Sequence, residues 1–163
     1  MNELPWLNRA RSDIGLRELP GAPTAPKLSE WLQRLGAWWR DDETPWCGVA
    51  VAAWMQAAGI KPPAAWYRAR AWLDWGVPLS SPVVGAVVVF ERSAGGHVGI
   101  VVGTDQRGRV MVLGGNQGNA VSIAPFDSER VLGYRWPADK LALMAAAPPP
   151  TMAASANSSR NEA

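Results

Sequence analysis

Gly95-Gly96-His97-Val98-Gly99-Ile100-Val101-Val102 reads as a β-strand that opens on the only histidine of the chain, and it decides how the second half folds. Working outward from it, short Val/Ile-rich runs recur at 86–91, 97–104, 109–113, 120–124 and 131–136. Gly-Gly, Asp-Gln-Arg-Gly, Gly-Asn and Asp-Ser punctuate them. Connections this short favour antiparallel neighbours, so a meander of about five strands is expected.

Upstream of residue 80 the period changes from two to that of a helix. Nine of the ten tryptophans lie there. Leu28, Trp31, Leu32, Leu35 and Trp38 follow the spacing of one helical face, as do Cys47, Val51, Trp54, Met55 and Ala58 on a second helix that Gly59 can stop. Pro62-Pro63 is expected to open a further helix running to Trp75 and closed by Gly76. Helices first and strands second give an α+β domain, its N-terminal helices packed on one face of the meander. Residues 1–142 are expected to form this single domain. From 143 on, Ala-Ala-Ala-Pro-Pro-Pro followed by a Ser/Asn/Ala stretch is expected to be a disordered tail.

Composition excludes several classes. Of 163 residues, 48% are hydrophobic and 18% charged, a globular balance with a net charge of only +2. The arginines are dispersed, with no basic run of the kind that tracks phosphates, so no nucleic-acid partner is expected. One cysteine allows no internal disulfide, and with a single histidine a dedicated zinc site is not expected. No apolar run approaches the roughly 18 residues needed to span a bilayer. Met1-Asn2-Glu3-Leu4-Pro5-Trp6 shows no basic segment leading into an apolar one. The expectation is therefore synthesis in the cytoplasm without a signal peptide.

The single cysteine sits in Asp41-Asp42-Glu43-Thr44-Pro45-Trp46-Cys47-Gly48, a turn-forming run that leads into the second helix. At a helix start, unpaired N–H groups and the positive end of the dipole favour the thiolate. An imidazole beside it gives a nucleophile and then a general acid for a departing amine. Cys47 and His97 are 50 residues apart, room enough for helices and a strand to intervene. Asn116, at the end of the strand after the His97 strand, is the expected third residue, its amide oxygen accepting the second imidazole N–H. Gln117 is a weaker candidate for that role, since it faces away from its neighbour in a regular strand, and is placed instead with the substrate. Asp105 reads as a turn residue.

Each of these has a plainer reading beside it. A lone cysteine is usually an inert buried hydrophobe. Asn116 can simply hold a left-handed turn after Gly114-Gly115. Asp41-Asp42-Glu43 suits a solvated helix cap, with Glu43 contacting a substrate amine as the alternative. Most tryptophans belong to the core, while Trp46, next to the nucleophile, is expected to line the cleft.

Pro45-Trp46-Cys47 on a helix, Gly85-Ala86-Val87-Val88-Val89-Phe90, Gly96-His97-Val98-Gly99-Ile100-Val101 and Leu113-Gly114-Gly115-Asn116-Gln117 occur in an order that resembles the NlpC-type/CHAP superfamily of cysteine peptidases and amidases. The resemblance extends from about Ala10 to Pro137. It implies a papain-like α+β fold and cleavage of an amide bond in peptidoglycan, in the stem peptide or cross-link, with no metal or organic cofactor. It maps the nucleophile to Cys47, the base to His97 and the polar third residue to Asn116. Some CHAP enzymes carry a glutamate two residues before that asparagine, where this chain has Gly114. Delivery to the wall by a holin or a secretion machine, as a phage lysin or an antibacterial effector, is the implied biology. An immunity protein would be the effector's partner, and a non-catalytic particle module retaining the fold is the alternative.

Overall fold

The computed structural model describes residues 4–17, 26–37, 46–92, 95–144 and 151–152. Three α-helices precede the sheet: α1 (Pro5–Ser12), α2 (Pro26–Leu35) and α3 (Cys47–Ala57). Six antiparallel strands follow, β1 (Val77–Leu79), β2 (Val87–Arg92), β3 (Gly95–Asp105), β4 (Val110–Gly114), β5 (Ser122–Phe126) and β6 (Val131–Trp136). They lie in the order β1-β6-β2-β3-β4-β5. A two-residue β7 (Thr151–Met152) runs parallel to β3 at Thr104 and Asp105, so this part of the expected tail joins the sheet. The α+β class read from the sequence is the class observed.

The meander holds only from β2 to β5. β6 does not continue beside β5 but returns to the free edge of β2. The reason lies in β2 itself: Val87, Val88, Val89 and Phe90 are all fully buried. A strand apolar on both faces belongs in the middle of a sheet, with a partner on each edge.

α3 is the central helix. Its residues from Cys47 to Met55 are all buried, with α1 and α2 packed against it. α1 opens on Pro5, whose missing N–H costs nothing at a helix start, and buries Trp6, Leu7 and Ala10. Trp6 donates its indole N–H to Gly85 O at 2.8 Å and stands edge-on to Trp136. Trp54 meets Trp31 edge-on and donates to the Asp13 carboxylate at 2.9 Å. These tryptophans are core, as their spacing indicated. Trp38, on the expected extension of α2, lies outside the described residues.

The helix expected from Pro62 to Trp75 is not formed as such. Turns lead into a 3-10 helix at Ala69–Asp74. Two indoles take the backbone elsewhere: Trp72 Nε1 donates to Trp66 O and Trp75 Nε1 to Lys61 O, so the carbonyls of the segment are satisfied by side chains. The β3–β4 hairpin is closed by a buried ion pair, Arg109 Nε to Asp105 Oδ2 at 2.7 Å. Asp105 is thus a turn residue. Burial opposes its charge, but the Arg109 and Arg107 N–H groups and the Arg109 guanidinium outweigh it and hold the carboxyl below the ordinary range.

Candidate active site

Cys47 is the first residue of α3, and Trp46 caps the helix with its backbone alone. The thiol is held by main chain. The N–H groups of Val98, Gly48 and Cys47 itself act on Sγ, and the Val98 N–H belongs to the residue after His97. This contact joins the helix start to β3 and sets the thiol against the backbone of the residue next to His97. Gly48 lets the 66–67 backbone close on the helix start: a Cβ there would collide with Trp66 O and meet the Tyr67 backbone at 3.2 Å.

The electrostatics of the thiol differ from the sequence expectation. Burial raises its pKa, and although the three N–H groups and the charge of Arg92 lower it, burial wins. Cys47 is 4% exposed and His97 0%. In this closed arrangement the resting sulfur is a thiol, because a buried thiolate forfeits more hydration than the helix end returns.

His97 is held by side chains. Its Nε2 lies 2.9 Å from Gln117 Oε1. The Gln117 amide nitrogen donates to Ser122 O at 2.8 Å and Val112 O at 3.2 Å, which leaves the amide oxygen facing the ring. An oxygen can only accept, so Nε2 carries the proton and Nδ1 is the basic nitrogen of the neutral ring. Phe126 stacks on the imidazole, with ring centroids 5.3 Å apart and planes 16° apart, and Phe90, its cross-strand partner, lies at 6.4 Å. Strand register places Phe126 opposite Val110 and Val110 opposite Thr104, well along β3 from His97. The two rings meet because the sheet curls.

The side chain that meets the imidazole is Gln117, and Asn116, expected to accept the second imidazole N–H, does not do so. β4 ends at Gly114, and Asn116 takes a left-handed backbone, φ 58°, in the bend that follows. The alternation that was to point Asn116 at the histidine stops there, and the bend turns Gln117 inward. Asn116 is buried and neither atom of its amide has a hydrogen-bond partner among the described residues. Gly114 completes the arrangement. A Cβ at 114 would run into the Gln117 amide oxygen and stand 3.4 Å from His97 Nε2. The Gln117 side chain thus fills the space that a side chain at 114 would occupy.

Trp46, expected to line a cleft, is 2% exposed. The edge of its ring lies 2.9 Å from where a Cβ on Gly115 would be, with Ala50 at 2.7 Å, so it seats the Gly114–Gln117 bend against α3. Glu43 lies outside the described residues. Sequence reasoning missed Phe126, Phe90 and Arg92. Of these, Phe90 was accessible, since pairing the 85–90 run with the His97 run sets the two residues opposite each other.

Residues 39–116 match the family model of the CHAP domain. The match takes in Cys47, His97 and Gly114 and ends one residue before Gln117. No curated protein matches the chain.

Proposed function

We propose, from the match of residues 39–116 to the CHAP family model, that the chain is a cysteine peptidase or amidase that cuts an amide bond in the stem peptide or cross-link of peptidoglycan. The observation that carries this reading is the meeting of the Cys47 thiol with the His97–Val98 segment, with the imidazole fixed in one tautomer by Gln117.

The chemistry follows from that geometry. With Nε2 engaged by Gln117, Nδ1 is the ring nitrogen that receives the thiol proton as Sγ bonds to the amide carbon. The carbonyl electron pair moves to the oxygen, where the backbone N–H at the start of α3 can stabilise it. Collapse breaks the C–N bond, and the proton on Nδ1 leaves with the amine. Water then attacks the thioester, giving its proton to His97, and the thiol is restored as the acid departs. Because the resting sulfur is a thiol, proton transfer accompanies the attack instead of preceding it as a stored ion pair. A wall enzyme of this kind requires delivery across the membrane. We place it among lysins and secreted effectors, the latter guarded by an immunity protein.

A non-catalytic module retaining the fold is the second reading, and the burial of Cys47 is what favours it. Incubation of purified sacculi with the protein, followed by mass spectrometry of the soluble muropeptides, separates the two. New termini with the wild type and none with Cys47→Ala support the enzyme. Sacculi left intact by the wild type, or cut equally by Cys47→Ala, overturn it.

A further inference from the structure

β5 and β6 stand four strand intervals apart in the order β1-β6-β2-β3-β4-β5, yet only residues 127–130 join them. In a flat sheet that lateral gap is about 19 Å, from a spacing of about 4.8 Å between neighbours. Fully stretched, the link reaches about 17 Å, and its turn of 3-10 helix at Ser128–Arg130 shortens it further. The sheet must therefore curl until the end of β5 comes close to the start of β6. Phe90 of β2 and Phe126 of β5 measure that curl. Their rings stack with centroids 4.6 Å apart and planes at 21°, although β3 and β4 lie between their strands.

Arg130, the last residue of the link, grips this closure beside the imidazole. It donates an Nη2–H to Glu91 O at 3.1 Å, which ties the link to β2 one residue from Phe90. Its guanidinium carbon lies over the Phe126 ring, 5.7 Å from the centroid. Phe126 in turn stacks on His97 at 5.3 Å. Phe126 is the last residue of an edge strand, where the sheet alone holds a side chain least firmly. One side chain thus holds both the strand that carries Phe90 and the ring that rests on His97.

We infer that Arg130 is a positioning residue for His97: by holding Glu91 O and the Phe126 ring it keeps the curl closed and the imidazole in one plane. Its effect on turnover rests on the hydrolase reading above, whereas its effect on the ring does not.

His97 is the only histidine of the chain, so its ring protons are identified in an NMR spectrum without ambiguity. Spectra are recorded at about pH 8.5, where an ordinary imidazole is neutral, so that a change of charge does not enter. Arg130→Ala is expected to move the His97 ring resonances toward those of an unstacked imidazole. Arg130→Lys keeps a cation and a donor, and should leave them near the wild type. Phe126→Leu removes the ring itself, and adding Arg130→Ala to it should move the resonances no further. Arg130 is only partly buried, so its own variants leave the core in place. With muropeptide turnover as the second readout, Arg130→Ala should lower kcat by about 10-fold with KM little changed, and Arg130→Lys should retain most of the activity. Resonances that stay in place in Arg130→Ala, or that move as far in Arg130→Lys, overturn the positioning role. A double variant that moves them beyond Phe126→Leu does the same, since Arg130 would then act by another route. If the resonances move as expected but the wild type cuts no muropeptide, the hydrolase reading falls and the positioning role stands.

Discussion

The two halves of the site are built in different ways. Cys47 is positioned by main chain: the start of α3, three backbone N–H groups and the carbonyl of Trp66 against Gly48. His97 is positioned by side chains drawn from two strands and a bend, with Gln117 fixing the ring's tautomer and Phe90 and Phe126 its plane. The main-chain half has little tolerance and nothing to adjust, because any change moves a helix. The side-chain half can be retuned by substituting one partner, because the Gln117 amide occupies the space from which a side chain at 114 would reach the imidazole.

The sharpest way to break this contrast is Gly48→Ala. The added methyl meets a peptide carbonyl, which cannot swing aside as a flexible side chain would. α3 must shift, and the thiol with it. Wall digestion is expected to fall by about 100-fold or more, since misplacement by an ångström at a reacting atom costs that much. Overpacking should also lower stability by about 1–3 kcal/mol. Thermal unfolding alongside turnover checks both. Full activity in Gly48→Ala would show that the helix start is not fixed by its backbone contacts.

A smaller effect is expected on the imidazole side, with recovery possible. Gln117→Ala removes the acceptor that holds the Nε2 proton, and kcat is expected to drop by roughly 10- to 100-fold with KM little changed. Gly114→Asp alone should be as poor or worse, because its Cβ collides with the Gln117 amide. The double variant Gly114→Asp/Gln117→Ala clears the space and starts an acidic side chain 3.4 Å from Nε2. It is expected to regain part of the loss and to extend activity to higher pH, because a carboxylate stabilises the imidazolium that a neutral amide does not. Gln117→Glu should not substitute for it. Its second oxygen would face Val112 O and Ser122 O, which the amide nitrogen now binds. A double variant no better than its parents would sever the proposed exchange between positions 114 and 117.

The same contrast explains what could be read from the chain alone. Cys47 at the start of α3 and His97 on β3 were legible because each is announced by a local pattern, a helical period after a turn and a Val/Ile run after Gly-Gly. The third residue was not. Choosing between Asn116 and Gln117 required knowing that β4 stops at Gly114 and that Asn116 is left-handed, and one residue of irregular backbone exchanges which side chain points inward. Phe126 was hidden for another reason: it reaches His97 through the curl of the sheet, which no local spacing encodes. β6 at the edge of β2 belongs to the same class, a decision made by burial of β2 on both faces and not by loop length.

The smallest effect concerns the thiol in its resting state. Burial holds the Cys47 pKa above the ordinary thiol value, and Arg92 is among the groups that pull it down. Alkylation follows the thiolate, so labelling of the native protein by iodoacetamide should be slow at pH 7 and rise only above the range of a free cysteine. Arg92→Gln removes a favourable charge from the anion, and the curve should move further to high pH. Gln117→Ala acts on the far nitrogen of the ring and should leave the curve in place. Rapid labelling at pH 6–7 would mean that the sulfur is already ionised, and would replace proton transfer during attack with a standing thiolate–imidazolium pair. A shift in Gln117→Ala as large as that in Arg92→Gln would show that the two halves of the site titrate together. In that case the side-chain half would govern the main-chain half even at rest.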